Sequence, residues 1–173
     1  MEPIGQFVAD GTTTVVSFTS VPQTYRSLRI VLAAGIRATA ASAFGLNFNS
    51  DSTTGNYGWI QMANGGTASG VESSENSSSF YIGGGSDEVP LAALDGSSFW
   101  LADIENYSDA SLGTAVQIKY GVMQAGGYYS GMQGLSFDQA SAVTQIDCVS
   151  SSTTSNYYMN APTVITLFGI GSS

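Results

Sequence analysis

The strongest constraint on this chain is a two-residue hydrophobic alternation that returns along most of its length, with no comparable 3.6-residue period. In Ala115–Gln124, the side chains of Val116, Ile118, Tyr120 and Val122 share one face. Phe44–Asn49 sets Phe44, Leu46 and Phe48 against Gly45, Asn47 and Asn49. Only an extended backbone sends successive side chains to opposite sides, so these segments predict strands with one buried face. Further strands are predicted at Thr14–Thr19, Leu28–Ala34, Tyr57–Met62, Phe80–Ile82, Phe99–Ile104, Val143–Val149 and Thr163–Ile170. In the last, Val164, Thr166, Phe168 and Ile170 alternate with Ile165 and Leu167, and two apolar faces suit a strand inside a sheet.

The gaps between strands are turn-rich. Pro22 breaks the chain between the first two strands. Ala33–Ala43 is rich in Ala but lacks a helical period, and reads as a loop or strand edge. Ala63–Ser79 is Gly, Ser, Asn and Glu, and reads as a long exposed loop. Short strands with glycine-rich turns predict an all-β protein: one antiparallel β-sandwich domain, jelly-roll-like, over residues 13–173. Residues 1–12 are read as an amino-terminal arm that could dock on another chain. The length of 173 residues suits a single domain by the usual prior of roughly 150.

Composition narrows the functions. The chain has no histidine, one cysteine and four cationic side chains, Arg26, Arg29, Arg37 and Lys119. Proton shuttles, metal ligands and phosphate clamps are therefore scarce. A net charge of -9 leaves no basic patch to displace counterions from a nucleic acid, or to bind an anionic membrane. Charged residues are only 10%, against a usual value of about 25%, which suits a surface packed against neighbours. No apolar run of about 18 residues predicts a membrane helix. The stretch MEPIGQFVADG has neither a basic nor an apolar region of a signal peptide, so synthesis in a cytoplasm is expected.

Several groups of residues can be weighed as chemistry. Serine hydrolysis needs a base, and only Lys119 could serve; its place in an alternating strand reads as solvent-facing. Carboxylate pairs for glycoside hydrolysis are Asp103 with Glu105, Glu72 with Glu75, and Asp87 with Glu88. Two acids at i, i+2 on a strand stand roughly 6.5–7 Å apart, which overlaps the inverting geometry, yet such pairs are usually solvated. Asn47, Asn49 and Asp51 offer oxygens to a calcium ion, without the spacing of a calcium loop. Gly65-Gly66 and Gly83–Gly85 lack a following Lys and read as turns. Cys148 reads as a buried, inert thiol. The reading is of a protein without catalytic, cofactor-binding or metal-binding residues. Contact residues are sought instead in two aromatic pairs, Tyr128-Tyr129 and Tyr157-Tyr158, placed in Gly/Ser/Asn-rich loops, where tyrosine can stack on a sugar or anchor an interface.

The stretches FTSVPQTYRSL (Phe18–Leu28), LNFNSDSTTGNYGW (Leu46–Trp59), IENYSDAS (Ile104–Ser111) and ITLFGIG (Ile165–Gly171) follow one another along most of the chain. Together they resemble a family of small β-sandwich virion proteins of tailed bacteriophages, common among phages of cyanobacteria. The Ala-rich Ala33–Ala43 stretch and the Ser-rich Ala63–Ser79 segment depart from that pattern. In the resembling pattern, Leu46–Trp59 is a hairpin. The resemblance implies a non-enzymatic virion component, often a homotrimer, that contacts the major capsid protein or tail proteins. It leaves two readings open. One is a capsid decoration or cement protein. The other is a tail-fibre or adhesin module that binds a host-surface glycan. It supplies no catalytic residues.

Overall fold

A computed structural model of the chain describes residues 1–34, 36–37, 43–65, 68–77, 80–82, 98–124, 127–151, 158–159 and 162–172. Among them there is no helix. The strands are β1 (Glu2–Val8), β2 (Val15–Thr19), β3 (Tyr25–Ala34), β4 (Ile36–Arg37), β5 (Ala43–Phe48), β6 (Tyr57–Gly65), β7 (Ala68–Ser77), β8 (Phe80–Ile82), β9 (Ser98–Glu105), β10 (Thr114–Gln124), β11 (Gly127–Phe137), β12 (Gln145–Ser151), β13 (Tyr158–Met159) and β14 (Val164–Ser172). Eight of them form one sheet in the order β1-β14-β3-β9-β10-β11-β6-β7. Four form a second, β2-β12-β5-β8, and β13 pairs with β4. All of these pairings are antiparallel.

The alternation seen in the sequence is what packs the two sheets together. From the larger sheet Leu28, Ile30, Leu32, Trp100, Ile104, Ile118, Phe137, Ile165 and Leu167 are buried; from the smaller, Val16, Leu46, Phe48, Ile146 and Cys148. They form a single core cluster between two inner faces, as in a sandwich. Burial of each large apolar side chain stabilises by about 1.5–3 kcal/mol before entropy is counted. At the edge the sheets approach closely: a Cβ on Gly5 of β1 would lie 3.1 Å from the Phe18 ring of β2.

Two chain crossings between the sheets are tied by buried tyrosines. Residues 20–24 lead from β2 to β3, and Pro22 there keeps the chain out of both ladders. The Tyr107 hydroxyl donates to the Pro22 carbonyl at 2.6 Å and accepts from the Tyr25 amide at 3.2 Å. Residues 49–56 lead from β5 to β6, which lie in different sheets. This segment is therefore a crossover and not the hairpin turn that the sequence suggested. The Tyr57 hydroxyl holds it, donating to the Asp51 carbonyl at 2.8 Å and accepting from the Phe48 amide at 3.1 Å. The Tyr57 ring packs 4.9 Å from Phe137, which in turn meets Phe48 edge-on at 5.5 Å.

Three further expectations change. Residues 2–8, read as part of a free arm, are the edge strand β1, paired along β14. Pro3 and a register shift between Pro3 and Gly5 mark this edge, where a missing amide donor is tolerated. Most of Ala63–Ser79, read as a loop, is the end of β6 and the strand β7. As a sheet edge β7 is held by backbone pairing with β6, so it needs little apolar alternation of its own. Gly127–Phe137 was not predicted at all; its glycines dilute the alternation of the buried Gln133, Leu135 and Phe137.

Candidate functional site

Of the acids weighed as a catalytic pair, Asp103 is held in a cross-strand tie. Asp103 on β9 is the register partner of Arg29 on β3. The Arg29 Nε donates to Asp103 Oδ1 at 2.6 Å and Nη2 to Oδ2 at 3.0 Å. The hydrogen bonds to Asp103 hold the guanidinium above its ordinary value. A carboxylate gripped at both oxygens is fixed in orientation, which suits anchoring two strands. Glu105, two residues on, is exposed between Ser27 and Ala115. Glu75 is exposed on β7, which also carries Glu72 in its backbone; Asp87 and Glu88 lie outside the described residues. Lys119 is exposed on β10. Cys148 is fully buried, and desolvation, with the nearby Asp147 charge, pushes its thiol well up and away from thiolate reactivity.

The oxygens weighed for calcium are used by the β5–β6 crossover. Asn49 and Ser50 have left-handed backbones, with φ of 53° and 55°. Asn49 Oδ1 accepts from the amides of Thr144 at 2.8 Å and Gln145 at 3.2 Å, while its Nδ2 donates to the Ala142 carbonyl at 3.0 Å. Asp51 accepts from the Thr53 amide at 2.7 Å and from Asn56 Nδ2 at 2.7 Å. Partial burial pushes Asp51 up, but these donors outweigh it and hold the carboxyl below its ordinary value. Asn47 Nδ2 donates to the Asp51 carbonyl at 3.3 Å. Among the described residues, no group of three or more His, Cys, Asp or Glu is placed to hold a metal ion.

The tyrosine pairs are also placed differently from the expectation. Tyr128 and Tyr129 are not in a loop; their backbone belongs to β11, in register with Met123 and Val122 of β10. Tyr158 belongs to β13, opposite Arg37. Tyr157 lies outside the described residues. The structure thus places Tyr128 and Tyr129 in the eight-stranded sheet and Tyr158 in the small β13-β4 sheet.

What the structure does assemble is the outer face of the eight-stranded sheet. Strand register sets one row straight across it: Thr166, Val31, Leu101, Lys119, Met132, Met62 and Val71. The row on one side runs Phe168, Arg29, Asp103, Gln117, Gly134 and Ile60. The row on the other runs Val164, Ala33, Phe99, Gly121 and Ser130. Phe99 is 50% exposed, Ile60 54%, Met62 55%, Val71 65% and Met132 40%, so no described segment covers the face. Open depressions occupy its β10-β11-β6-β7 half, one beside Met62, Lys119 and Met132, the other over Gly58, Ala115 and Gly134. Scattered exposed apolar residues are ordinary, but rows of them on one sheet face mark an interaction surface. The signal read in the sequence was confined to Thr163–Ile170, now β14, whose two apolar faces pointed only to a strand inside a sheet.

Compared with known proteins, the chain matches no family model, no curated protein and no solved structure.

Proposed function

We propose that this protein is a structural component of a bacteriophage particle, a capsid decoration or cement protein that acts by protein–protein contact. The uncovered apolar face of the larger sheet carries this reading. A face of this kind is costly to leave in water and is stabilised when another protein covers it. Three of the polar side chains weighed as chemistry are engaged in architecture: Asp103 grips Arg29, and Asn49 and Asp51 fold a crossover. The resemblance of FTSVPQTYRSL and the later stretches to phage virion proteins supplies the kind of assembly. The other virion proteins, the major capsid protein first among them, are the partners in this reading.

The test is the location and copy number of the protein on purified particles, by antibody labelling and quantitative mass spectrometry. Many copies spread over the head are the expected result. A few copies confined to the tail would replace the decoration reading with the tail-fibre or adhesin one. Absence from particles would end both.

A further inference from the structure

The outer face is also uneven in a way that bears on what covers it. Its β14-β3-β9 half carries bulk, with Phe168, Leu101 and Phe99 projecting from it. Its β10-β11-β6 half is hollowed at glycines: a Cβ on Gly121 would meet nothing within 4 Å, and one on Gly134 only the Ile60 side chain at 3.6 Å. The line dividing the halves runs between β9 and β10, at the centre of the eight strands. Turning the face over about that line sets β9 against β10, β3 against β11 and β14 against β6. Row by row, Phe99 then falls on Gly121, Arg29 on Gly134, and Phe168 on Ile60.

We propose that this face packs against the same face of a second copy, about a two-fold axis that runs along the strands between β9 and β10. The inference rests on the contact role argued above and names its first partner. Phe99 and Arg29 facing glycine hollows, with Phe168 facing the exposed apolar Ile60, on both sides of an axis give the self-complementarity that a two-fold contact requires. Charge permits it as well. The chain carries -9, yet the centre of this face balances Arg29 and Lys119 against Asp103 and Glu105. Glu75 lines the depression at the β7 edge, while the described Asp10, Asp51, Asp109 and Asp147 lie in loops or on the smaller sheet, off this face. Area is sufficient: eight strands about 4.8 Å apart and three rows about 6.8 Å apart span roughly 800 Å². One partner in a stable interface of standard size contributes about 800 Å². Two sheets packed in this way lie about 10 Å apart, with strands aligned to within about 30°.

The full chain, purified, should sediment at twice its monomer mass. Gly121→Glu and Gly134→Arg fill the hollows with bulk and charge but meet no backbone of their own chain. Each should weaken the dimer at least about a hundredfold with an unchanged circular dichroism spectrum, because an unpaired charge facing Phe99 in the first, and a like charge facing Arg29 in the second, is then buried at the contact. Gly70→Glu, at another open glycine, pairs with Ala63 on the opposite face and should leave the mass unchanged. For the axis, a mixture of Ala33→Cys and Ser130→Cys chains should be joined by a short thiol-to-thiol cross-linker, and neither variant alone. Both positions are exposed and three strands apart within one chain, while the native Cys148 is buried. A monomer at every concentration, a mass three times that of the chain, or a dimer indifferent to both substitutions would overturn the proposal. Linkage of Ala33→Cys to itself but not to Ser130→Cys would overturn the axis. A chain that coats particles but stays monomeric in solution would defeat the dimer and leave the particle role standing; a dimer absent from particles would do the reverse.

Discussion

Two tyrosines do at the residue scale what a loop sequence alone could not. Tyr107 and Tyr57 are fully buried, and each hydroxyl serves one carbonyl and one amide of a chain crossing. Tyr107→Phe keeps the ring but leaves the Pro22 carbonyl and the Tyr25 amide without that partner. Urea denaturation should show a loss of about 1–3 kcal/mol. Tyr57 gives a test in alkali. Desolvation, helped by the Asp51 and Asp147 charges and opposed by the hydrogen bond with Phe48, pushes its phenol up to about 12 from the ordinary 10.0. The folded state thus prefers the neutral phenol. Its contribution is complete below pH 10 and is lost as pH rises towards 12. Thermal unfolding followed across that interval should show a falling midpoint, and Tyr57→Phe should flatten the fall. Sequence reading named Asn47, Asn49 and Asp51 as oxygen ligands and missed both tyrosines as clamps. The residue types were visible, but their partners are brought close only by the crossing of two sheets.

At the scale of elements, the alternating strands were legible because each carries its own buried face. β5, β10 and β14 alternate as read, and their inward residues Leu46, Ile118 and Ile165 are fully or almost fully buried. β1, β7 and β11 were not legible, for two physical reasons. β1 and β7 are the edges, which have a partner on one side only and need less apolar surface to be held. β11 is interrupted by Gly131 and Gly134, which lie close to a neighbouring strand or open onto the outer face. Removing residues 1–8 should strip the outer ladder from β14 and take away Ile4 and Phe7, which pack against the core. The expected outcome is a lower thermal midpoint and faster amide exchange along β14, with β10 and β11 retaining their protection. β14 also depends on a close approach, because any Cβ on Gly169 would run into the Tyr25 ring. Gly169→Ala should therefore cost about 1–3 kcal/mol in denaturant unfolding.

The whole molecule combines a strongly acidic charge with a neutral apolar face, and the two separate as pH falls. The sequence pI is about 4.1. Hydrogen bonds hold Asp10 and Asp109 below the ordinary 3.8, from the Thr12 amide and hydroxyl in the first and from the Ser111 hydroxyl and amide in the second. Asp51 is lowered as well. A depressed carboxyl contributes stability above its unfolded value and loses it only as pH drops through the lowered one. The fold should thus persist near pH 4.1 while its net charge vanishes. Turbidity is expected to peak there with β-sheet dichroism intact and to clear on return to pH 7, and Gly121→Glu should reduce it. Unfolding before turbidity would point to carboxylates instead of the apolar face. The sequence by itself determined the class of fold, since a period of two admits only strands, and it determined the poverty of titratable chemistry. Tertiary structure decided which strands became neighbours, that Leu46–Trp59 crosses between sheets, and that Asp103 meets Arg29. It also decided that Val31, Leu101, Met132 and Met62 stand in one row across an open face, because register across eight strands is set by long-range pairing and not by any local pattern.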